Sequence, residues 1–113
     1  MAISAARARK LLLGFDDASA APHFDRLAFR TPRRIFATLA GDGLDVNFMF
    51  DPLGQEVFCE MATHALAPVP GGWGRMGATR CDLKKVDEPT FMAAAEAAHA
   101  RASEPRKGRR PKR

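Results

Sequence analysis

The chain has 113 residues, 46% of them hydrophobic, which is enough for one domain with one core. Its formal net charge of +5 is unevenly distributed, because residues 101–113 carry seven basic side chains and one acid. Residues 1–100 therefore have a net charge of −1, which excludes a uniformly basic domain. No segment approaches the ~20 consecutive apolar residues that cross a membrane, so a soluble cytoplasmic protein is expected.

The N-terminal half predicts one helix followed by an antiparallel meander. Residues 2–13 are rich in the strong helix formers Ala, Arg, Lys and Leu, and Gly14 suits the end of that helix. Residues 15–24 contain two aspartates, a serine and Pro22, and are predicted to form a connecting loop. Alternating apolar residues then predict three strands, around 27–29, 35–39 and 44–50.

The C-terminal half predicts two helices separated by extended segments. Asp51 followed by proline is a typical helix start, and an apolar stripe in that helix is predicted to face the core. The stripe residues, at i, i+4 and i+8, are Leu53, Val57 and Met61. Residues 64–70 and 75–84 are predicted to be extended, and Asp87 begins a last helix that Pro105 ends.

The predicted order is therefore helix, three strands, helix, two strands and helix. Consecutive hairpins imply an antiparallel sheet whose apolar face must be covered, which predicts a two-layer α+β fold with helices over the sheet. Residues 1–103 are interpreted as a single domain and residues 104–113 as a basic tail. The tail is expected to be disordered, because it buries too little apolar surface to offset the entropy of ordering.

Several short segments resemble the MmcQ/YjbR family. They are Pro22-His23-Phe24 leading into Leu27-Ala28-Phe29-Arg30, the strand Arg34-Ile35-Phe36-Ala37-Thr38-Leu39, and Gly72-Trp73-Gly74-Arg75 with the later Val86-Asp87. The resemblance covers residues 10–102 and implies the same order of elements, in a fold similar to that of type III secretion chaperones. It also implies a DNA-binding role with no catalytic motif. The chain departs from the family pattern at Gly14-Phe15-Asp16-Asp17, where a leucine-proline-glycine turn is usual, and in the tail from Arg106 onward.

Basic side chains are the strongest candidates for binding, because Lys and Arg neutralise phosphates and release counterions. Three arginines flank the first hairpin turn, where contacts to phosphates would fix orientation without reading sequence. The predicted nucleic-acid-binding residues are Arg30, Arg33, Arg34, Arg75, Lys84, Lys85, Arg106, Lys107, Arg109, Arg110, Lys112 and Arg113. The alternatives are a solvated turn and an incidental tail, or a tail that binds an acidic protein or a membrane surface.

Trp73, the only tryptophan, lies among glycines and has two interpretations. Packing against the core edge is favoured, since the chain has few large aromatic side chains apart from Phe. The alternative is a stacking platform for a base. A candidate small-molecule pocket would join His23, Trp73 and Arg75. No histidine or cysteine has metal-ligand spacing, and no catalytic or nucleotide-binding motif occurs, so no metal, cofactor or enzymatic activity is expected.

The sequence thus favours a non-catalytic nucleic-acid-binding protein. The alternatives are a protein-interaction or chaperone-like adaptor, and a small-molecule-binding domain with a site near Trp73. The pattern leaves open whether the protein is a monomer or a homodimer, and whether its partner is DNA, RNA or an acidic protein.

Overall fold

The computed structural model describes residues 2–105, which form an α+β fold. Its helices are Ala5–Leu13 (α1), Pro52–Met61 (α2), Gly72–Arg75 (α3) and Glu88–Ser103 (α4). Its strands are Ser19–His23 (β1), Arg26–Arg30 (β2), Ile35–Ala40 (β3), Asp45–Met49 (β4), Leu66–Pro68 (β5) and Ala78–Asp82 (β6). The predicted fold class is confirmed, and the structure adds β1 and the short α3 to the predicted elements.

All six strands form one antiparallel sheet in the order β1-β2-β3-β4-β6-β5. The prediction that residues 15–24 form a loop is wrong for residues 19–23, which pair with the whole of β2. Alanine, serine and proline have low strand propensity, so the local pattern does not indicate a strand. Pro22 is tolerated because β1 lies at the sheet edge, where the missing N–H leaves no ladder bond unmade.

The three long helices begin at side-chain caps. Ser4 Oγ accepts a bond from Arg7 N at 3.0 Å, and Asp51 Oδ1 accepts one from Gly54 N at 2.7 Å. Asp87 Oδ1 accepts a bond from Thr90 N at 2.8 Å. Each cap satisfies a backbone N–H that has no partner within the helix, which fixes where the helix starts. The predicted helix starts at Asp51 and Asp87 are therefore confirmed.

Aromatic contacts join the sheet to the helices and define the core. Phe48 of β4 contacts Phe91 of α4 with ring centroids 5.4 Å apart. Phe50, just beyond β4, stacks on Phe58 of α2 at 4.9 Å. Phe36 of β3 also lies in this core. The buried face of α4 is otherwise made of alanines, which let the helix approach the sheet closely: Ala94, Ala95, Ala98 and Ala102.

The opposite face of the sheet is polar. Thr38, Asn47 and Arg80 occupy paired positions on β3, β4 and β6, and strand alternation places them on the side away from Phe48. On the same face, Arg26 Nη2 donates to Asp45 Oδ1 at 2.7 Å. The domain therefore has two layers, helices on one face of the sheet and a polar surface on the other.

The sheet has two ends, called here the tail-side end and the far end. The tail-side end is the one where β2 leads into β3, β4 ends, β6 begins and α4 terminates. The far end is the one where β1 turns into β2, β3 turns into β4 and β6 ends. Because the strands are antiparallel, residues distant in sequence meet at each end.

The prediction for the inward face of α2 is wrong. Leu53, Val57 and Met61 are 70%, 53% and 57% exposed, so the apolar stripe faces outward. Phe58 contacts the core instead, and Gln55 donates its side-chain amide to the backbone of α3 and β6. The helix has two apolar faces, one formed by the stripe and one that carries Phe58. The face with Phe58 lies against the core because Phe58 stacks on Phe50.

Candidate nucleic-acid interface

The turn between β2 and β3 is held to the end of α4 by one buried hydroxyl. Thr31 is 2% exposed, and its Oγ1 donates to Ala102 O at 3.0 Å. The same oxygen accepts bonds from Arg33 N at 3.1 Å and Arg34 N at 3.2 Å. A single threonine thus satisfies the turn backbone and connects it to the C-terminus of the last helix. The turn is consequently a fixed support for the arginines that it carries.

Two of the three arginines of this turn donate to backbone carbonyl groups. Arg30 Nε donates to Thr31 O at 3.1 Å, and Arg34 Nη2 donates to Glu104 O at 3.4 Å. Arg33 is exposed. Within residues 2–105 none of the three forms a salt bridge with a carboxylate. A carbonyl oxygen orients a guanidinium without neutralising its charge, so these side chains stay available to an anion.

The basic tail leaves the domain at the same turn. Ala102 and Glu104, at the end of α4, are the carbonyl partners of Thr31 and Arg34. The tail cations from Arg106 to Arg113 lie outside the described residues, but their point of departure is fixed within two residues of Glu104. The described chain therefore ends beside the arginine turn, at the tail-side end, although the turn and the first tail cation are more than 70 residues apart in sequence.

A pocket of about 540 Å³ lies beside the turn. Asp16, Asp17, Arg33 and His99 contribute to its lining, so its charge is mixed. His99 Nε2 donates to Asp16 O at 2.9 Å, and its ring stacks on Phe15 with ring centroids 4.9 Å apart. These two contacts account for the orientation of the His99 ring. The pocket supplies one exposed cation and two carboxylates, and this composition does not favour a polyanion inside it.

Trp73 projects from a rigid corner at the tail-side end. It is 72% exposed, so the favoured prediction that it packs against the core is wrong. A Cβ on Gly74 would lie 1.7 Å from Val69 O, which shows how closely the corner backbone packs on the neighbouring segment. Gln55 Nε2 donates to Gly74 O at 2.8 Å and to Ala78 O at 3.0 Å. The backbone around Trp73 is therefore packed against Val69 on one side and hydrogen-bonded to Gln55 on the other.

Arg75 lies on the same corner and is exposed. Its Nη2 is 3.6 Å from the position that a Cβ on Gly72 would occupy, so the guanidinium is folded over the start of α3. Among the described residues it has no carboxylate partner within salt-bridge distance. Arg75 and Trp73 are therefore an exposed cation and an exposed aromatic ring on the same short helix, two residues apart in sequence.

The predicted pocket that would join His23, Trp73 and Arg75 is not formed. His23 ends β1 at one edge of the sheet, whereas Trp73 and Arg75 lie on the connection between β5 and β6 at the other edge. Five strand spacings of about 4.8 Å separate the two edges, a distance of about 24 Å. His23 instead contacts Phe24, which is 95% exposed at the tip of the β1–β2 turn.

Lys84 and Lys85 are also separated from the turn arginines. They follow β6 at the far end, whereas Arg30 closes β2 at the tail-side end. Asp82 Oδ1 accepts a bond from Lys84 N at 3.0 Å, so an acid lies directly beside the lysine pair. The structure therefore brings together Arg30, Arg33, Arg34 and the tail origin, places Arg75 at the same end, and leaves Lys84 and Lys85 at the other.

The sequence did not identify an apolar groove between α2 and α4. Phe50 and Phe58 lie in it together with Leu53, Val57 and Ala97, and its volume is about 360 Å³. The signal was present in the stripe at i, i+4 and i+8, but the stripe was assigned to the core. Phe58, which lies beside the stripe, is the residue that indicates a second apolar face able to contact the core in its place.

Reactive or metal-binding chemistry has little support in the described part of the chain. Burial raises the pKa of the Cys81 thiol to about 12, with a smaller contribution from Asp82, so this thiol stays protonated at neutral pH. Burial also raises the pKa of the Cys59 thiol. Both cysteines are free. Residues 2–105 contain no cluster of three His, Cys, Asp or Glu side chains that could hold a metal ion. No helix in that range is long and apolar enough to cross a membrane.

Comparison with known proteins supports the fold. No protein-family model matches the chain, and no curated protein matches it. Its structure is similar to the crystal structure of Deinococcus radiodurans protein DR2400, which carries a DUF419 domain. The TM-score is 0.67 at 14% sequence identity, over 84% of this chain and 75% of DR2400. DUF419 is part of the MmcQ/YjbR-like fold family, so the likeness confirms the fold that the sequence resemblance implied, and at this identity it shows the fold alone.

Proposed function

We propose that this chain is a non-catalytic nucleic-acid-binding protein of the MmcQ/YjbR family that acts in the cytoplasm. The observation that carries the proposal is the bond from Thr31 Oγ1 to Ala102 O, because it fixes the arginine turn beside the origin of the basic tail. The tail supplies affinity that is independent of sequence, and the turn orients the domain on the phosphates. Both act through positive charge, and within residues 2–105 no carboxylate lies at salt-bridge distance from the three turn arginines.

The charge distribution supports binding through one end of the sheet. Arg30, Arg33, Arg34 and Arg75 lie at the tail-side end. The domain without its tail has a net charge near −1, so attraction to a polyanion must come from a local patch. Phosphate contacts of this kind give strongly salt-dependent affinity and no base discrimination.

The test is the salt dependence of binding to a labelled duplex DNA and to a labelled single strand. The proteins are the full chain, a chain ending at Pro105, and a full-length variant with every Lys and Arg of residues 106–113 replaced by Gln. The chain ending at Pro105 keeps both carbonyl contacts of the turn. Removing six cations is expected to reduce the slope of log affinity against log salt by up to about 5, since each phosphate contact contributes about 0.9.

The Gln variant separates the effect of charge from that of chain length. Equal losses in the two altered proteins indicate that the tail acts through charge. Failure of the full chain to bind either nucleic acid at low salt would refute the proposal. Residual binding by the chain ending at Pro105 is expected to disappear when Arg33 is replaced by Gln and to persist when Lys84 is replaced by Gln.

The groove between α2 and α4 favours a second candidate function, a protein-interaction adaptor. Its walls carry the exposed Leu53 and Val57, and Glu56 and Glu60 border the same stripe. Apolar walls with an acidic border fit an amphipathic helix that has a basic flank. In a two-fold pairing of α2 with a second copy, the glutamates of both copies would face each other, which disfavours self-association through this stripe.

The adaptor function is tested with a synthetic amphipathic helix of leucine and lysine. Val57→Glu is expected to abolish binding, measured by calorimetry, because it places a charge in the apolar wall. Glu96→Gln, on the exposed side of α4, is the control and is expected to leave binding unchanged. Equal binding by wild type and Val57→Glu would exclude the groove as the site.

A further inference from the structure

Two aromatic side chains are strongly exposed in the described part of the chain, and their settings differ. Phe24 occupies the tip of a two-residue turn at the far end, whereas Trp73 lies on the α3 corner at the tail-side end. Other aromatic rings, such as Phe29 and Phe48, are fully buried. An indole ring that is 72% exposed contributes little to stability and is accessible to a ligand.

The backbone that carries Trp73 is held in place by close contacts. Gly74 allows the backbone to approach Val69, and Gly77, at φ +118°, lies against Phe50, where a Cβ would come within 2.0 Å of the carbonyl oxygen. The side-chain amide of Gln55 closes the corner from α2. Because the backbone is already ordered, only the two side-chain torsions of Trp73 lose freedom when the ring binds a partner, which is a form of preorganisation.

The chemistry around the ring favours a nucleic acid over a protein. Arg75 places an unneutralised guanidinium on the same four-residue helix, and the arginine turn and the tail origin share this end of the sheet. The carboxylate of the nearby Asp51 is oriented toward the start of α2, where its Oδ1 accepts a bond from Gly54 N at 2.7 Å. An aromatic face beside cations is the combination with which proteins bind single strands, because bases stack on the ring while phosphates meet the cations.

We propose that Trp73 is a base-stacking site and that the ligand of the tail-side end is single-stranded nucleic acid, with Arg75 contacting the adjacent phosphate. This inference rests on the proposed nucleic-acid-binding function and specifies its substrate class. In a duplex both faces of an internal base are covered by its neighbours, so away from the duplex ends the ring finds a free face only where bases are unpaired. The arginine turn and the tail serve both forms of nucleic acid, whereas Trp73 serves only the single strand.

The experiment uses the intrinsic fluorescence of the protein, since Trp73 is its only tryptophan. The probes are an oligothymidylate of about 12 nucleotides, within the site sizes of single-strand binders, and a blunt duplex of the same length. The oligothymidylate is expected to quench the emission of Trp73 and the duplex to leave it nearly unchanged. Affinity for each probe is measured in parallel by the anisotropy of a label on the nucleic acid.

Trp73→Ala is expected to weaken oligothymidylate binding by about 5-fold or more, the usual effect of removing a stacking ring, and to leave duplex binding within about 2-fold. Trp73→Phe should retain part of the difference because a smaller ring still stacks. Phe24→Ala is the control, since it removes an aromatic ring that is even more exposed and lies at the far end, and it should change neither affinity.

The outcomes separate this inference from the function on which it rests. If the full chain binds both probes but oligothymidylate leaves the emission of Trp73 unchanged and Trp73→Ala binds normally, the stacking site is wrong and nucleic-acid binding stands. If the full chain binds neither probe at low salt, both proposals fail. If Trp73→Ala and Phe24→Ala weaken binding equally, a specific role of the corner is excluded.

Discussion

Arginine side chains at the two ends of the sheet have different partners: carboxylates toward the far end and backbone carbonyl groups at the tail-side end. Toward the far end, Arg26 and Arg80 share the carboxylate of Asp45, at 2.7 and 3.4 Å, and their charge is partly compensated. At the tail-side end, Arg30 and Arg34 donate to backbone carbonyl oxygens, which orient them without compensation. A count of basic residues therefore does not locate a binding surface, because the acceptor of each guanidinium decides whether its charge is available.

The largest expected effect comes from the corner that carries Trp73. Gly74→Ala places a methyl group 1.7 Å from Val69 O, so the backbone must move, and we expect a loss of about 3 kcal/mol or more in the free energy of unfolding. Gly14→Ala is the control, because its Cβ would meet ordinary contacts at 3.4 Å. Urea denaturation of both variants measures the difference. Equal midpoints would show that the tail-side corner is not rigid.

A second, smaller effect is expected at the hydroxyl that joins the turn to α4. Thr31→Val keeps the shape of the side chain but leaves Ala102 O and the N–H groups of Arg33 and Arg34 without that partner. The expected loss of stability is about 1–3 kcal/mol. Thr63→Val, at an exposed position, should stay within about 0.5 kcal/mol of wild type. If the two variants are equally stable, the turn is held by other contacts.

The comparison of the two ends is tested directly by removing one charge from each. Asp45→Asn leaves Arg26 without its carboxylate in a half-buried setting, and we expect a loss of about 1.5–3 kcal/mol, the range for hydrogen bonds to charged groups. Arg33→Gln removes an exposed cation that no carboxylate within residues 2–105 pairs with, so its stability should stay within about 0.5 kcal/mol of wild type. Thermal unfolding at low and high salt measures both. A costly Arg33→Gln would contradict the distinction between compensated and available arginines.

The smallest effect concerns pH and the start of α4. Hydrogen bonds from Thr90 lower the pKa of Asp87 below its ordinary value of 3.8, and the Arg7 guanidinium lowers the pKa of Glu88 below 4.5. Each depressed pKa adds stability that is present above the ordinary value and is lost as pH falls through the folded-state value. The urea midpoint is therefore expected to fall below about pH 4.5. In Glu88→Gln this fall should be shallower, and an unchanged profile would exclude the Arg7–Glu88 pair as a contributor.

Local signals predicted most of the fold. Asp51 and Asp87 predicted the starts of α2 and α4, because a capping carboxylate accepts a hydrogen bond from the backbone N–H three residues later in the chain. The strands β2, β3 and β4 followed from alternation, which needs no knowledge of partners. By contrast, β1 was missed because edge pairing with β2, and not its own composition, makes residues 19–23 a strand.

The candidate site was less predictable than the fold. Arg30, Arg33 and Arg34 were identified from their hairpin, but Lys84 was grouped with them although it lies at the other end of the sheet. The exposure of Trp73 was also missed. Sequence shows that a tryptophan lies among glycines, and only the tertiary structure shows that its ring is exposed.

The sequence by itself determined the class of fold, the helix starts and the separation of a nearly neutral body from a basic tail, because these depend on periodicity, caps and composition. The tertiary structure decided which charges share an end, which apolar face of α2 is exposed, and that Trp73 and His23 lie at opposite edges. The physical reason is that an antiparallel sheet brings together residues distant in the chain, so each charge acquires the neighbours that set its availability only when the strands pair.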